Sequence, residues 1–152
     1  MRTHMKGLAV VCFLIVLFAV AGCGSHEEPK PVVGENLRSA MVGKKWVVEE
    51  LFARRMNEEV TMEFMSDGTV KAFGGCNELT GTYTLLEDGL TFGPMASTRK
   101  SCGPALDEQE YSFKTFLARV ERVELDGNDL LLLSREFPGP IRLTTGGGGL
   151  FW

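Results

Sequence analysis

Beyond residue 37 the chain repeatedly alternates apolar and polar residues with a period of two, the pattern of strands that bury one face. Residues 46–51 (WVVEEL) open the series. Val60, Met62 and Phe64 then alternate with Thr61 and Glu63, Ser66-Asp67-Gly68 supplies a turn, and residues 69–74 return as the second arm of a hairpin. Residues 82–85 alternate again, Glu87-Asp88-Gly89 turns the chain, and residues 90–92 form a short strand that Gly93-Pro94 ends. Later, Val123 and Leu125 alternate with Arg122 and Glu124. Asp126-Gly127-Asn128 turns, and residues 130–133 and 141–143 close the set.

One segment has a different period. Phe113, Phe116, Leu117 and Val120 recur at helical spacing. Asp107 is the expected N-cap, Glu110 completes a capping box, and Leu106 with Tyr111 forms the accompanying staple. The pattern predicts a β-rich α+β fold: a small curved antiparallel sheet or partly open barrel of about seven to eight strands, with one packed helix.

The beginning of the chain reads as a targeting segment. Arg2 and Lys6 give a positive start, residues 8–21 (LAVVCFLIVLFAVA) are uniformly apolar, and small Ala21 and Gly22 precede Cys23. Val20-Ala21-Gly22-Cys23 resembles the bacterial lipobox, whose Cys receives a diacylglyceryl group before cleavage and N-acylation. An uncleaved membrane helix needs ~20 apolar residues, and this run is shorter. The reading is a lipoprotein signal peptide over 1–22 and lipidation, palmitate included, at Cys23. Gly24 after the cysteine fits outer-membrane sorting in the enteric pattern, with the domain facing the periplasm. Residues 24–35 (GSHEEPKPVVGE) hold two prolines and no apolar period. Segment 23–36 therefore reads as a lipidated tether, 37–145 as one domain, and 146–152 as a glycine-rich tail ending in Leu150-Phe151-Trp152.

Charge and cysteine count narrow the chemistry. The formal net charge is −4, and the signal carries Arg2 and Lys6 without any acid, so its removal makes the domain more acidic. Such a domain lacks the electrostatic footprint of a nucleic-acid binder. Cys12 leaves with the signal and Cys23 takes lipid, which leaves Cys76 and Cys102. In an oxidising compartment a disulfide is the simplest use of that pair, with free thiols as the alternative. Zinc typically requires four Cys or His ligands, and the mature chain adds only His26, in the tether. No metal and no cofactor is implied. His-assisted nucleophilic catalysis lacks its base for the same reason. The glycine run 146–149 is followed by neither Lys-Ser/Thr nor a helix, so it is not a phosphate loop.

The stretch Gly74-Gly75-Cys76-Asn77, then Gly81-Thr82-Tyr83, resembles the signature of the META domain family, which includes heat-shock lipoproteins. Residues 90–98 (LTFGPMAST), Cys102 and the helix bearing Glu110, Phe113 and Leu117 follow the same order and spacing. The resemblance implies a small β-rich envelope domain with one helix, linked to stress response or antibiotic tolerance, and no established enzymatic activity. Two readings of the motif remain open. Gly74, Gly75 and Asn77 either build a turn that Cys76 pins to the 97–102 loop, or Asn77, Thr98 and Arg99 form a binding patch for an envelope protein or peptide. The corresponding functions are a binding or chaperone-like module, a purely structural envelope lipoprotein, or an enzyme of unknown type.

Overall fold

The computed structural model describes residues 34–146. Two helices and nine strands follow one another as α1 (Glu35–Met41), β1 (Lys45–Leu51), β2 (Arg54–Phe64), β3 (Thr69–Phe73), β4 (Glu78–Leu86), β5 (Gly89–Phe92), β6 (Ala96–Ser97), α2 (Pro104–Leu117), β7 (Arg122–Asp126), β8 (Asp129–Leu133) and β9 (Ile141–Thr144). The strand ladders are antiparallel, in the order β3-β2-β1-β9-β8-β7-β5-β4-β6, and β3 also pairs with β4. The pairings thus run round a ring that is thin at one seam. The β5–β7 seam is one register pair, Gly89 with Arg122, reinforced by main-chain bonds from Leu90 to Glu121 (3.0 Å) and from Val123 to Asp88 (2.9 Å).

Alternation does what the sequence predicts. Trp46, Val48, Val60, Met62, Phe64, Val70 and Leu79 are all buried in one core. Phe113, Phe116 and Leu117 of α2 enter the same cluster, so the helix is held by its aromatic stripe. Burying a Leu or Phe side chain contributes roughly 1.5–3 kcal/mol, more than any single turn or cap.

The fold extends the predicted set in several places. α1 begins at Glu35, two residues before the domain boundary read from the sequence. It is a seven-residue helix held by buried Leu37 and Met41, and by the Trp46 Nε1–H donating to the Met41 carbonyl at 2.9 Å. β2 starts at Arg54, earlier than predicted, because its polar first half lacks the alternation that marks residues 60–64. β6, two residues long, adds a ninth strand beside β4.

The start of α2 corrects the expected capping box. Gly103 is the N-cap, no side chain caps the helix, and Pro104 follows. Proline suits a first helical position, since its missing N–H would be unpaired there in any case. Asp107 instead lies inside the first turn, where its carboxylate accepts from Ser101 Oγ (2.6 Å) and Cys102 N (3.0 Å). Those two bonds hold its pKa below the ordinary aspartate value. Tyr111 is 69% exposed, so the expected staple with Leu106 is absent.

The β1–β2 hairpin turns on Phe52 and Ala53, with φ of 54° and 58°. Both central residues are left-handed, as a type I′ turn requires, although neither is Gly or Asn. Each such residue costs about 1–2 kcal/mol relative to right-handed backbone. Phe52 recovers part of this by packing on Phe137 (ring centroids 4.7 Å apart) and on buried Phe116 (6.0 Å).

Candidate functional site

The loop between β3 and β4 carries Gly74-Gly75-Cys76-Asn77, and α2 grips it with two consecutive residues. Gln109 and Glu110 lie one helical turn before Phe113, toward the buried face of α2, and both are buried although both are polar. Gln109 Nε2–H donates to the carbonyls of Glu58 and Gly74 at 3.1 Å each, and its Oε1 accepts from Asn57 N at 2.6 Å. One side-chain amide thus replaces a neighbouring strand where β2 bulges away from β1. Glu110 Oε2 accepts from Asn77 N at 2.9 Å, while its Oε1 accepts from Ser97 Oγ (3.3 Å) and Lys114 Nζ (3.0 Å).

The glycines make room for this grip. A Cβ on Gly74 would stand 2.7 Å from Glu110 Cγ, and one on Gly75 would collide with the Gln109 amide. Gly75 also has φ of 97°, a region that favours glycine. Cys76 and Cys102 are bridged, with Cα atoms 5.9 Å apart, which ties the loop to the segment before α2.

Asn77 is 5% exposed, so this member of the expected binding patch is buried. Its Nδ2–H donates to the Lys100 carbonyl (3.0 Å), and Oδ1 accepts from Lys100 N (2.9 Å) and Thr98 Oγ1 (2.8 Å). The side chain therefore ties its loop to a distant segment. Thr98 is exposed, yet its hydroxyl is committed as well, since Oγ1 also accepts from Glu78 N at 3.2 Å. Of the three predicted patch residues, Asn77 and Thr98 are thus tied into the framework. Arg99 is exposed beside exposed Lys100. Cys23 lies outside the described residues.

These groups border a cleft of about 470 Å³ between β6 and α2. Its walls include Ser97, Arg99, Lys100, Glu110 and Lys114. Burial of the Glu110 carboxyl raises its pKa, but hydrogen bonds from Lys114 and Asn77 outweigh burial, and the net value lies below that of an ordinary glutamate. Glu110 is thus a fixed anion that holds Lys114 in place. Arg99 and Lys100 make no salt bridge among the described residues. No sequence motif points to Lys100, Gln109 or Lys114 as site residues. A readable signal existed for Gln109, a polar residue four positions before Phe113 on the apolar face.

Among the described residues no three His, Cys, Asp or Glu side chains are grouped to share a metal ion. No helix among them is long and apolar enough to cross a membrane.

A β-rich ring of strands clasped to one helix through a Gly-Gly-Cys-Asn loop defines a small disulfide-bridged α+β domain. The META domain family matches residues 39–139, and the chain belongs to that family. Its fold is similar to that of a protein from Burkholderia xenovorans solved by NMR, at 17% identity and a TM-score of 0.62, covering 97% of this chain and 99% of that one. It is also similar to a DUF4847 family protein from Bacteroides vulgatus, at 14% identity and a TM-score of 0.51, over 72% of this chain and 96% of the other. No curated protein matches the sequence significantly.

Proposed function

We propose that the protein is a lipid-anchored domain of the cell envelope that binds an anionic protein or peptide at the Arg99–Lys100 rim, without catalysis. The anchoring reading rests on Val20-Ala21-Gly22-Cys23, and the non-catalytic reading on the lack of any His beyond His26. The observation that carries the binding reading is a division of roles around one cleft. Asn77, Gln109 and Glu110 are buried and hydrogen-bonded, so they form a rigid bed, while Arg99 and Lys100 are exposed on it without an ionic partner among the described residues. With the main chain at Lys100 held by Asn77, docking an anion orders only the exposed side chains and not the loop that carries them, which is the advantage of preorganisation.

The test is capture from envelope extract with purified protein, in parallel with thermal unfolding. Arg99→Glu/Lys100→Glu should abolish capture and leave the melting temperature unchanged, and capture by the parent should fall as salt is raised. Asn77→Ala should lower both, because it removes the bed. Unchanged capture in the Arg99/Lys100 variant would leave the purely structural alternative. Turnover of any hydrolase substrate that disappears on mutation of a domain carboxylate would overturn the non-catalytic reading.

A further inference from the structure

A second cleft, of about 530 Å³, shares no lining residue with the first and opens where β1 and β9 part. Their ladder consists of Val47 with Thr144 and Val48 with Leu143. Continued in register it would join Glu49 to Arg142 and Glu50 to Ile141, but the pairing stops, and those four residues line the cleft instead. The main-chain groups of Glu49 and Glu50 on that side therefore have no ladder partner. Pro140, just before β9, has no N–H with which to extend the ladder.

Phe52 forms one wall. It is 40% exposed, and its ring is braced from beneath by Phe137 and Phe116. A Gly or Asn would take its left-handed backbone with less strain, yet an aromatic ring stands at the cleft mouth. Half-buried Leu131 supplies further apolar surface to the lining.

The rim charge selects the occupant. Arg142 is already spent on Asp129 and Asp126, at 2.7 Å each. Glu49 and Glu50 make no salt bridge among the described residues, although Arg55 stands across from Glu50 in the β1–β2 register. Among the lining residues the charge is therefore negative, while Arg54 and Arg55 of the facing strand, unpaired among the described residues, lie outside the lining. That balance disfavours anionic lipid and favours a cationic ligand. Unpaired strand edges add main-chain recognition, the hallmark of an extended polypeptide.

We propose that this wedge is a separate binding site for an extended basic polypeptide segment, with one apolar side chain held against Phe52 and flanking Lys or Arg residues on Glu49 and Glu50. The site is independent of the Arg99–Lys100 rim and selects the opposite charge.

The full-length protein in detergent would be titrated with fluorescent Ac-Lys-Val-Phe-Val-Lys-amide and with the same peptide carrying Glu in place of Lys. The lysine peptide should bind at least about tenfold more tightly. Glu49→Gln/Glu50→Gln should remove that preference, and Phe52→Asn should weaken binding by about tenfold without disturbing the fold, because Asn accepts the left-handed turn. Arg99→Glu/Lys100→Glu should leave peptide binding unchanged. Should Phe52→Asn lose its fold, amide chemical shifts of the parent decide the matter: perturbations from the lysine peptide should fall on residues 49–53 and 139–142. Equal binding of the two peptides, undiminished binding by a folded Phe52→Asn protein, or perturbations confined to other strands would overturn the proposal.

Discussion

Gln109 of α2 fills the place that a side chain on Gly75 would take, and the same amide replaces a strand along Asn57 and Glu58. The glycine is therefore required twice, for its φ of 97° and for this close approach. Gly75→Ala must both adopt a left-handed backbone and displace a fully hydrogen-bonded amide, a combined cost of about 2–4 kcal/mol. Urea unfolding should show that loss. Adding Gln109→Ala should relieve the collision but not the backbone strain, so the double variant should be less destabilised than the sum of the two. Strict additivity would show that the two residues do not oppose one another.

Glu110 gives the domain an acid-sensitive joint. Its folded pKa lies below the ordinary value, since hydrogen bonds from Lys114 and Asn77 outweigh the opposing effect of burial. A carboxylate depressed in the folded state binds its proton more readily when unfolded. It therefore contributes stability above the unfolded pKa of about 4.3, and that contribution is lost as pH falls through the lower folded value. Glu110→Gln should be less stable than the parent at pH 7 by about 1–3 kcal/mol, because Lys114 loses its partner and one acceptor becomes a donor. The two should converge as pH drops from about 5 toward 2. A constant difference across that range, measured by urea midpoints, would remove Glu110 from the pH dependence.

The sequence revealed what short-range periodicity encodes and hid what distant partners decide. Val60, Met62 and Phe64 alternate because each faces the core, and Phe113, Phe116 and Leu117 repeat for the same reason on a helix. The first half of β2 has no such pattern, since its bulge is satisfied by an amide 52 positions away in the chain. Asp107 and Glu110 have the local spacing of a capping box, but Glu110 is recruited by Asn77, 33 positions earlier, and Gly103-Pro104 starts the helix without it. Likewise Asn77, Thr98 and Arg99 do come together. What separates the two that build the bed from Arg99 is their hydrogen bonds to segments about twenty positions away, which no local pattern announces.

The disulfide and the Gln109–Glu110 grip secure the same loop by different means. Cys76 and Cys102 are 26 positions apart, and closing a loop of that length contributes about 3–4 kcal/mol in the chain-entropy model. Cys76→Ala/Cys102→Ala should therefore still fold, because Asn77 keeps its bonds to Lys100 and Glu110, yet unfold at a lower urea concentration. Intact-mass analysis after alkylation should label the parent at this pair only once reductant is added. Labelling without reductant, or an unchanged urea midpoint in the double variant, would exclude a stabilising bridge.

The proposed anchor is testable at Cys23, where Val20-Ala21-Gly22 precedes the thiol. Two acyl chains make membrane attachment effectively permanent, since each buried methylene contributes roughly 0.8 kcal/mol, whereas one chain leaves it reversible. Under the proposed anchoring, Cys23→Ala would remove both the thiol that accepts diacylglycerol and the cleavage site that depends on it. The variant should lose labelling by radioactive palmitate and accumulate as a precursor that retains residues 1–22, with the folded domain unaffected because α1 begins only at Glu35. Immunoblotting of fractionated cells supplies the second readout. The parent should fractionate with the membranes and resist extraction by salt and carbonate, as acyl anchoring does and electrostatic adsorption does not. Normal processing and palmitate incorporation in Cys23→Ala would show that the anchor lies elsewhere. A parent that washes off in salt would show that no acyl chain holds it.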